Sequence, residues 1–179
     1  TPQGGIISPL LANMALHGME EALNIEYKRV KTKDGYYYSN NSKYVVVRYA
    51  DDFVVLCRAL KDAEAVYGLL DDYLQDRGLT LAPDKTKITN LYDGFDFVGY
   101  NIRCYRGQDR DKVLIKASKD SIKSFKSKAK DIIRNCYPWN LEESITRLNY
   151  LINGTGNYWR RGSNKRLFIS INIRGSVSR

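Results

Sequence analysis

The chain has 179 residues, 43% of them hydrophobic, which suits one or two domains, and no uninterrupted apolar stretch is long enough to span a bilayer. Its three cysteines, Cys57, Cys104 and Cys136, are odd in number and lack CxxC spacing, so neither a disulfide framework nor a zinc site is expected and a reducing cytoplasm fits best. The net charge of +9 is segregated: residues 1–102 carry 11 Lys/Arg against 14 Asp/Glu, and residues 103–179 carry 18 against 6. That is the pattern of one lobe that holds a polyanion and another that keeps carboxylates for metal.

Taken in chain order, the segment from Thr1 to Asn13 joins a glycine-bearing stretch to a helix start. Ser8 suits the N-cap and Pro9 the first helical position. Leu11, Met14, Ala15, Ala22 and Ile25 recur at near-helical spacing, with Gly18 on the same face as a site for close packing. His17, the single histidine, sits among these core-like residues, so histidine-dependent chemistry is not expected. Gly4 and Gly5 permit close backbone approach and Gln3 offers uncharged donors and acceptors, as a nucleotide-facing loop needs and as an ordinary loop also shows.

Residues 31–42 form a polar loop or exposed hairpin in which Tyr36, Tyr37 and Tyr38 either stack on bases or pack locally. Two β-branched runs follow, 44–47 and 53–56, joined by Tyr49-Ala50-Asp51-Asp52. This predicts a hairpin with an acidic tip. Paired carboxylates hold Mg²⁺ well, although Asp-Asp is also ordinary turn material. A second pair, Asp71-Asp72, falls on the solvated face of a helix over 60–77, which Gly78 stops at C′.

Short strands are expected near 79–82, 86–91, 97–104 and 112–116, the last two as a hairpin across Arg106-Gly107-Gln108-Asp109. A helix over 118–134 buries Ile122, Phe125, Ala129, Ile132 and Ile133, while Lys119, Lys123, Lys126 and Lys130 align in one stripe beside that face. The stripe either follows a phosphate backbone or solubilises the helix. Asn140 and Glu143 have capping-box spacing for a helix ending near Asn153-Gly154, and another helix is expected after Asn157.

The segment Pro2-Gln3-Gly4-Gly5 with Ser8-Pro9-Leu10-Leu11-Ala12-Asn13, followed by the Tyr49-Ala50-Asp51-Asp52 hairpin, closely resembles the palm of group II intron reverse transcriptases. Residues 79–87 look like the next palm motif of that family, 95–100 like its primer grip, and, more weakly, 148–159 like its thumb or maturase X region. The resemblance implies an α+β fold, in which a palm remnant (an antiparallel sheet with the acidic hairpin packed on two helices) precedes a small helical thumb. Its boundaries are 1–108 for palm and 109–179 for thumb and X region.

By the same resemblance, Asp51 and Asp52 are metal ligands and catalytic residues, and Lys85 assists departing pyrophosphate unless it is a plain surface lysine after a turn. Gln3, Gly4 and Ala50 border the nucleotide. Tyr49, Phe97, Gly99 and Tyr100 meet the primer, although the last three alternate as simple strand packing also would. Lys119, Lys123, Lys126 and Lys130 contact nucleic acid. Mg²⁺ is the implied cofactor; RNA template, DNA primer, deoxynucleoside triphosphates and intron RNA are the implied partners.

A further metal-binding Asp and the fingers precede the Gln3 segment in the family, so the chain reads as a fragment that is inactive alone. The alternatives are a non-enzymatic RNA-binding splicing cofactor, a reverse transcriptase of retron, diversity-generating or CRISPR-associated type, and a palm-fold nucleotide cyclase.

Overall fold

A left-handed glycine divides the first helical segment. In the structure, a computed structural model that describes residues 7–40 and 42–164, α1 (Ser8–Ala15) ends before Gly18, whose φ of +90° turns the chain into α2 (Met19–Ala22). Two corrections follow. Ser8 lies inside the first turn, caps nothing and leaves its buried Oγ without a partner among the described residues. Gly18 serves backbone direction and not close packing, since an added Cβ would meet its nearest atoms only at 3.6 and 3.8 Å. The break rotates the apolar set, so that Leu16, Met19, Leu23 and Ile25 are buried while Leu11 and Met14 are exposed.

The chain forms two compact units, Thr1–Ile88 and Thr89–Arg179. In the first, β1 (Tyr27–Thr32) and β2 (Gly35–Asn40) make the exposed hairpin expected from the polar tyrosine-rich segment. The second hairpin, β3 (Val45–Tyr49) with β4 (Asp52–Leu56), packs Tyr44, Val46, Phe53, Val55 and Cys57 onto a core shared by Leu16, Met19, Leu23 and Ile25 with Val66, Leu70, Tyr73 and Leu74 of α3 (Leu60–Gln75). Burying a leucine of this kind contributes about 1.5–3 kcal/mol. The Tyr73 hydroxyl donates to the His17 carbonyl at 2.8 Å, tying α3 to the α1–α2 junction. Gly78, at φ +66°, closes α3 as the Leu79 N–H reaches back to the Leu74 carbonyl.

The strands expected near 79–82 and 86–91 do not form. Pro83 has no N–H to offer a ladder, and the Lys85 and Thr86 amides instead close a turn on the Ala82 carbonyl.

In the second unit β5 (Phe95–Phe97), β6 (Tyr100–Tyr105) and β7 (Lys112–Ala117) form an antiparallel sheet in that order. The hairpin across residues 106–111 is as expected, but the single strand over 97–104 is instead two strands joined at Val98-Gly99. α4 (Lys119–Arg134) begins at the Ser118 cap, whose side chain accepts from the Ser121 N–H. α5 (Leu141–Trp159) runs straight through Gly154 and Gly156, so the helix end near Asn153-Gly154 and the new helix after Asn157 are both overturned. Trp159, 2% exposed, anchors that extension by packing on Phe125 and Ala117. Asn164 then accepts from the Ala117 N–H and donates to the Trp159 carbonyl, both at 2.7 Å.

The Asn140 capping box is also overturned. Asn140 precedes α5, but its side chain locks the short 3₁₀ turn Pro138–Asn140, accepting from the Tyr137 N–H and donating to the Asn135 carbonyl. The architecture is α+β, as expected, with the acidic hairpin packed on helices and a helical C-terminal part. No helix among the described residues is long and apolar enough to cross a membrane.

Candidate functional site

The acidic tip is a two-residue turn. Tyr49 pairs with Asp52, leaving Ala50 and Asp51 as the connection, and Ala50 has φ +56°. Asp51 does not share the positive φ, which matches a type II′ pattern more than I′. Directly opposed residues of an antiparallel pair share a face. Val46, Arg48, Phe53 and Val55 therefore point one way, three of them onto the core, and Tyr49 and Asp52 point the other. Tyr49 is 63% exposed, and Asp51 and Asp52 are both exposed.

Neither carboxylate is engaged by a donor or cation among the described residues. Two free carboxylates suit Mg²⁺ in donor type, and their exposure leaves room for water and phosphate oxygens to complete an octahedron. No cluster of three or more His, Cys, Asp or Glu that could hold a metal occurs among the described residues. Arg48 lies on the hairpin's inner face with a buried Nη1 that has no acceptor among the described residues. Cys57, beyond β4, has its thiol pushed up by burial and by Asp62, which opposes a nucleophilic role.

Of the other expected site residues, Gln3 and Gly4 lie outside the described residues. Lys85 is exposed on the turn after Pro83-Asp84. Phe97 and Tyr100 close a second tight turn, in which Val98 and Gly99 both have positive φ, +46° and +72°. This tip is clamped. The Gly99 carbonyl accepts from the Ser118 N–H and the Ser121 hydroxyl, each at 3.0 Å, and the Tyr158 hydroxyl donates to the Val98 carbonyl at 2.5 Å. The Tyr100 hydroxyl donates to the Tyr158 carbonyl and the two rings lie 4.9 Å apart. Burial and then Tyr158 raise the Tyr100 phenol above its ordinary value. Ser121 and Tyr158 are residues that sequence reasoning missed, because nothing local connects them to Gly99.

Lys119, Lys123, Lys126 and Lys130 are all exposed on α4 and none is paired among the described residues. Phe125 is buried and Ile122 packs beside it, but Ile133 is 60% exposed, against expectation. At 100° per residue Ile133 falls at the edge of the apolar face, next to the lysine stripe.

Two family models match this chain. "Reverse transcriptase (RNA-dependent DNA polymerase)" covers residues 1–102, and "Group II intron, maturase-specific domain" covers residues 122–177. Protein YkfC of Escherichia coli K12 is 35% identical over 123 residues, spanning 56% of this chain and 32% of that protein. A Schizosaccharomyces pombe protein described as an uncharacterized 91 kDa protein in cob intron is 25% identical over 222 aligned positions, spanning 89% of this chain and 27% of its own length. The chain thus spans a third or less of each of these relatives.

Proposed function

The chain belongs to the group II intron reverse transcriptase/maturase family, and on that premise we propose that it is part of a protein that copies RNA into DNA and assists splicing of its intron. The carrying observation is the free Asp51-Asp52 pair, presented on a tight tip within the stretch that the reverse transcriptase model covers. Residues 1–108 are the C-terminal part of the palm and 109–179 part of the thumb and X region, a division supported by the two family matches and by the segregation of charge.

Asp51 and Asp52 would hold Mg²⁺ together with a carboxylate from elsewhere in the parent protein, and the ion held there would supply acidification of the primer 3′-hydroxyl and charge neutralisation at the transferring phosphate. Ala50 keeps the tip low, so that a nucleotide can approach the carboxylates without meeting a large side chain. Tyr49, on the face shared with Asp52, meets the primer end. Gln3 and Gly4 border the incoming nucleotide, and Lys85 offers positive charge to the departing pyrophosphate. Phe97, Gly99 and Tyr100 act toward the primer as a rigid support, a role favoured by the clamped turn. The α4 lysines neutralise phosphates of RNA or of the template–primer duplex, which makes binding salt-sensitive. A splicing role rests on the maturase-specific match and this basic helix, and it coexists with polymerisation because RNA binding alone has no use for the acidic pair.

The test is primer extension by the full-length parent. Asp51→Ala and Asp52→Ala should each lower extension by about a hundredfold or more, while the 179-residue chain alone should make no templated product. Undiminished extension by either variant defeats the assignment of the pair, and clear synthesis by the uncontaminated chain defeats the fragment reading.

A further inference from the structure

Between α4 and α5 the chain makes an aromatic corner that the proposed chemistry does not use. The rings of Tyr137 and Trp139 are parallel to within 1°, with centroids 4.7 Å apart. Trp139 is 81% exposed, the most open large hydrophobic side chain among the described residues, and takes no part in the core; Trp159, the other tryptophan, is 2% exposed in the core. The corner is pre-organised. Asn140 bonds the Tyr137 N–H at 2.6 Å and the Asn135 carbonyl at 3.0 Å, so the 3₁₀ turn that carries both rings is held before any ligand arrives.

The corner also continues a basic track. Arg134 lies one helical turn beyond Lys130, within about 40° of it around the axis, and extends the Lys119, Lys123, Lys126 and Lys130 stripe to the end of α4. Asp120 and Asp131 fall to one side of that stripe. Glu142 and Glu143, in the first turn of α5, follow the corner closely. Acidic residues this close in sequence disfavour a phosphate at the corner itself and favour a neutral, flat ligand there.

Resting on the nucleic-acid reading above, we infer that the free face of Trp139, backed by Tyr137, is a stacking site for an unpaired nucleobase of an RNA strand whose phosphates follow the α4 lysines. Aromatic stacking tolerates any base because every base has a π-face. The site therefore selects unpaired over paired bases rather than one sequence over another, since duplex interior faces are already covered.

The experiment follows tryptophan emission of the 179-residue chain titrated with a short mixed-sequence single-stranded RNA and with a blunt duplex of equal length. Single-stranded RNA should quench the exposed tryptophan and leave the emission of Trp159, and the duplex should quench less. Trp139→Leu should abolish that quench and weaken single-strand binding by roughly fivefold or more, whereas Trp139→Phe retains most of the affinity. Lys123→Gln with Lys126→Gln should weaken binding yet leave the quench at saturation intact.

Salt-sensitive binding that Trp139→Leu leaves unchanged, with native-like circular dichroism, overturns the stacking site while sparing the nucleic-acid reading. Absence of any RNA binding by the native chain overturns both. Quenching that grows with protein concentration without RNA, and vanishes in Trp139→Leu, assigns the corner to a second copy of the chain and overturns the inference.

Discussion

The two tight hairpin tips both place a non-glycine residue at positive φ and are treated in opposite ways. At β3–β4, Ala50 adopts φ +56° and no side chain among the described residues takes up the neighbouring carboxylates, which are exposed. At β5–β6, Val98 and Gly99 adopt φ +46° and +72°, and three donors from α4, its cap and α5 hold their carbonyls. A left-handed non-glycine residue costs about 1–2 kcal/mol in either place. At the clamped tip, surrounding hydrogen bonds offset that cost and bind the turn into its scaffold. At the open tip nothing among the described residues does, and strain left standing beside exposed acidic groups is what the proposed metal-binding role of the tip would use.

The largest expected contrast is between chemistry and folding. Asp51→Ala and Asp52→Ala, which should cost about a hundredfold or more in extension, should leave the melting temperature of the chain within about a degree or two, as befits exposed side chains. A large thermal loss in either would mean that the acids are structural. Next comes Gly99→Ala, whose Cβ would stand 2.8 Å from Ser121 Oγ at a φ that resists side chains. It should destabilise the second unit by about 1–3 kcal/mol in denaturant titration, and an unaltered midpoint would break the clamp account. Ala50→Gly, the converse change at the open tip, relaxes the turn but frees the unfolded chain, so stability should shift by less than about 1 kcal/mol.

The smallest effect is one of pH. The Tyr100 phenol is raised above 10.0 in the fold, first by burial and then by Tyr158. Its contribution is fully present below that value and fades as pH climbs through the raised one. The native melting temperature should therefore fall more steeply in alkali than that of Tyr100→Phe; parallel curves would remove Tyr100 from the clamp.

The acidic hairpin, the β6–β7 hairpin and the lysine helix are legible in the sequence because turn residues and residue period are local signals. The break at Gly18 is not, since apolar spacing continues across it and only the φ of the glycine reveals that the buried set has moved to Leu16, Met19 and Leu23. Strands near 79–82 and 86–91 look plausible from side-chain type, but strand propensity means little without a partner to pair with, and Pro83 diverts the chain into a turn. The far end of α5 is hidden for a different reason: the burial of Trp159 outweighs two glycines that locally argue for a stop. At the candidate site, the acids can be read directly, whereas the Gly99 clamp depends on Tyr158, nearly sixty residues away in sequence.

Those two glycines leave a mark on α5. Apart from neighbouring residues and the helix's own backbone, no atom of the described residues lies within 4 Å of where a Cβ of Gly154 or Gly156 would stand, so no tight approach accounts for them. Each weakens the helix by about 1 kcal/mol relative to alanine, just ahead of an indole that is firmly seated. The rod is thus softest next to its anchor, and amide protons around residues 154–158 should exchange with solvent sooner than those around residue 150 at the middle of the helix, giving a joint that yields while its end stays fixed.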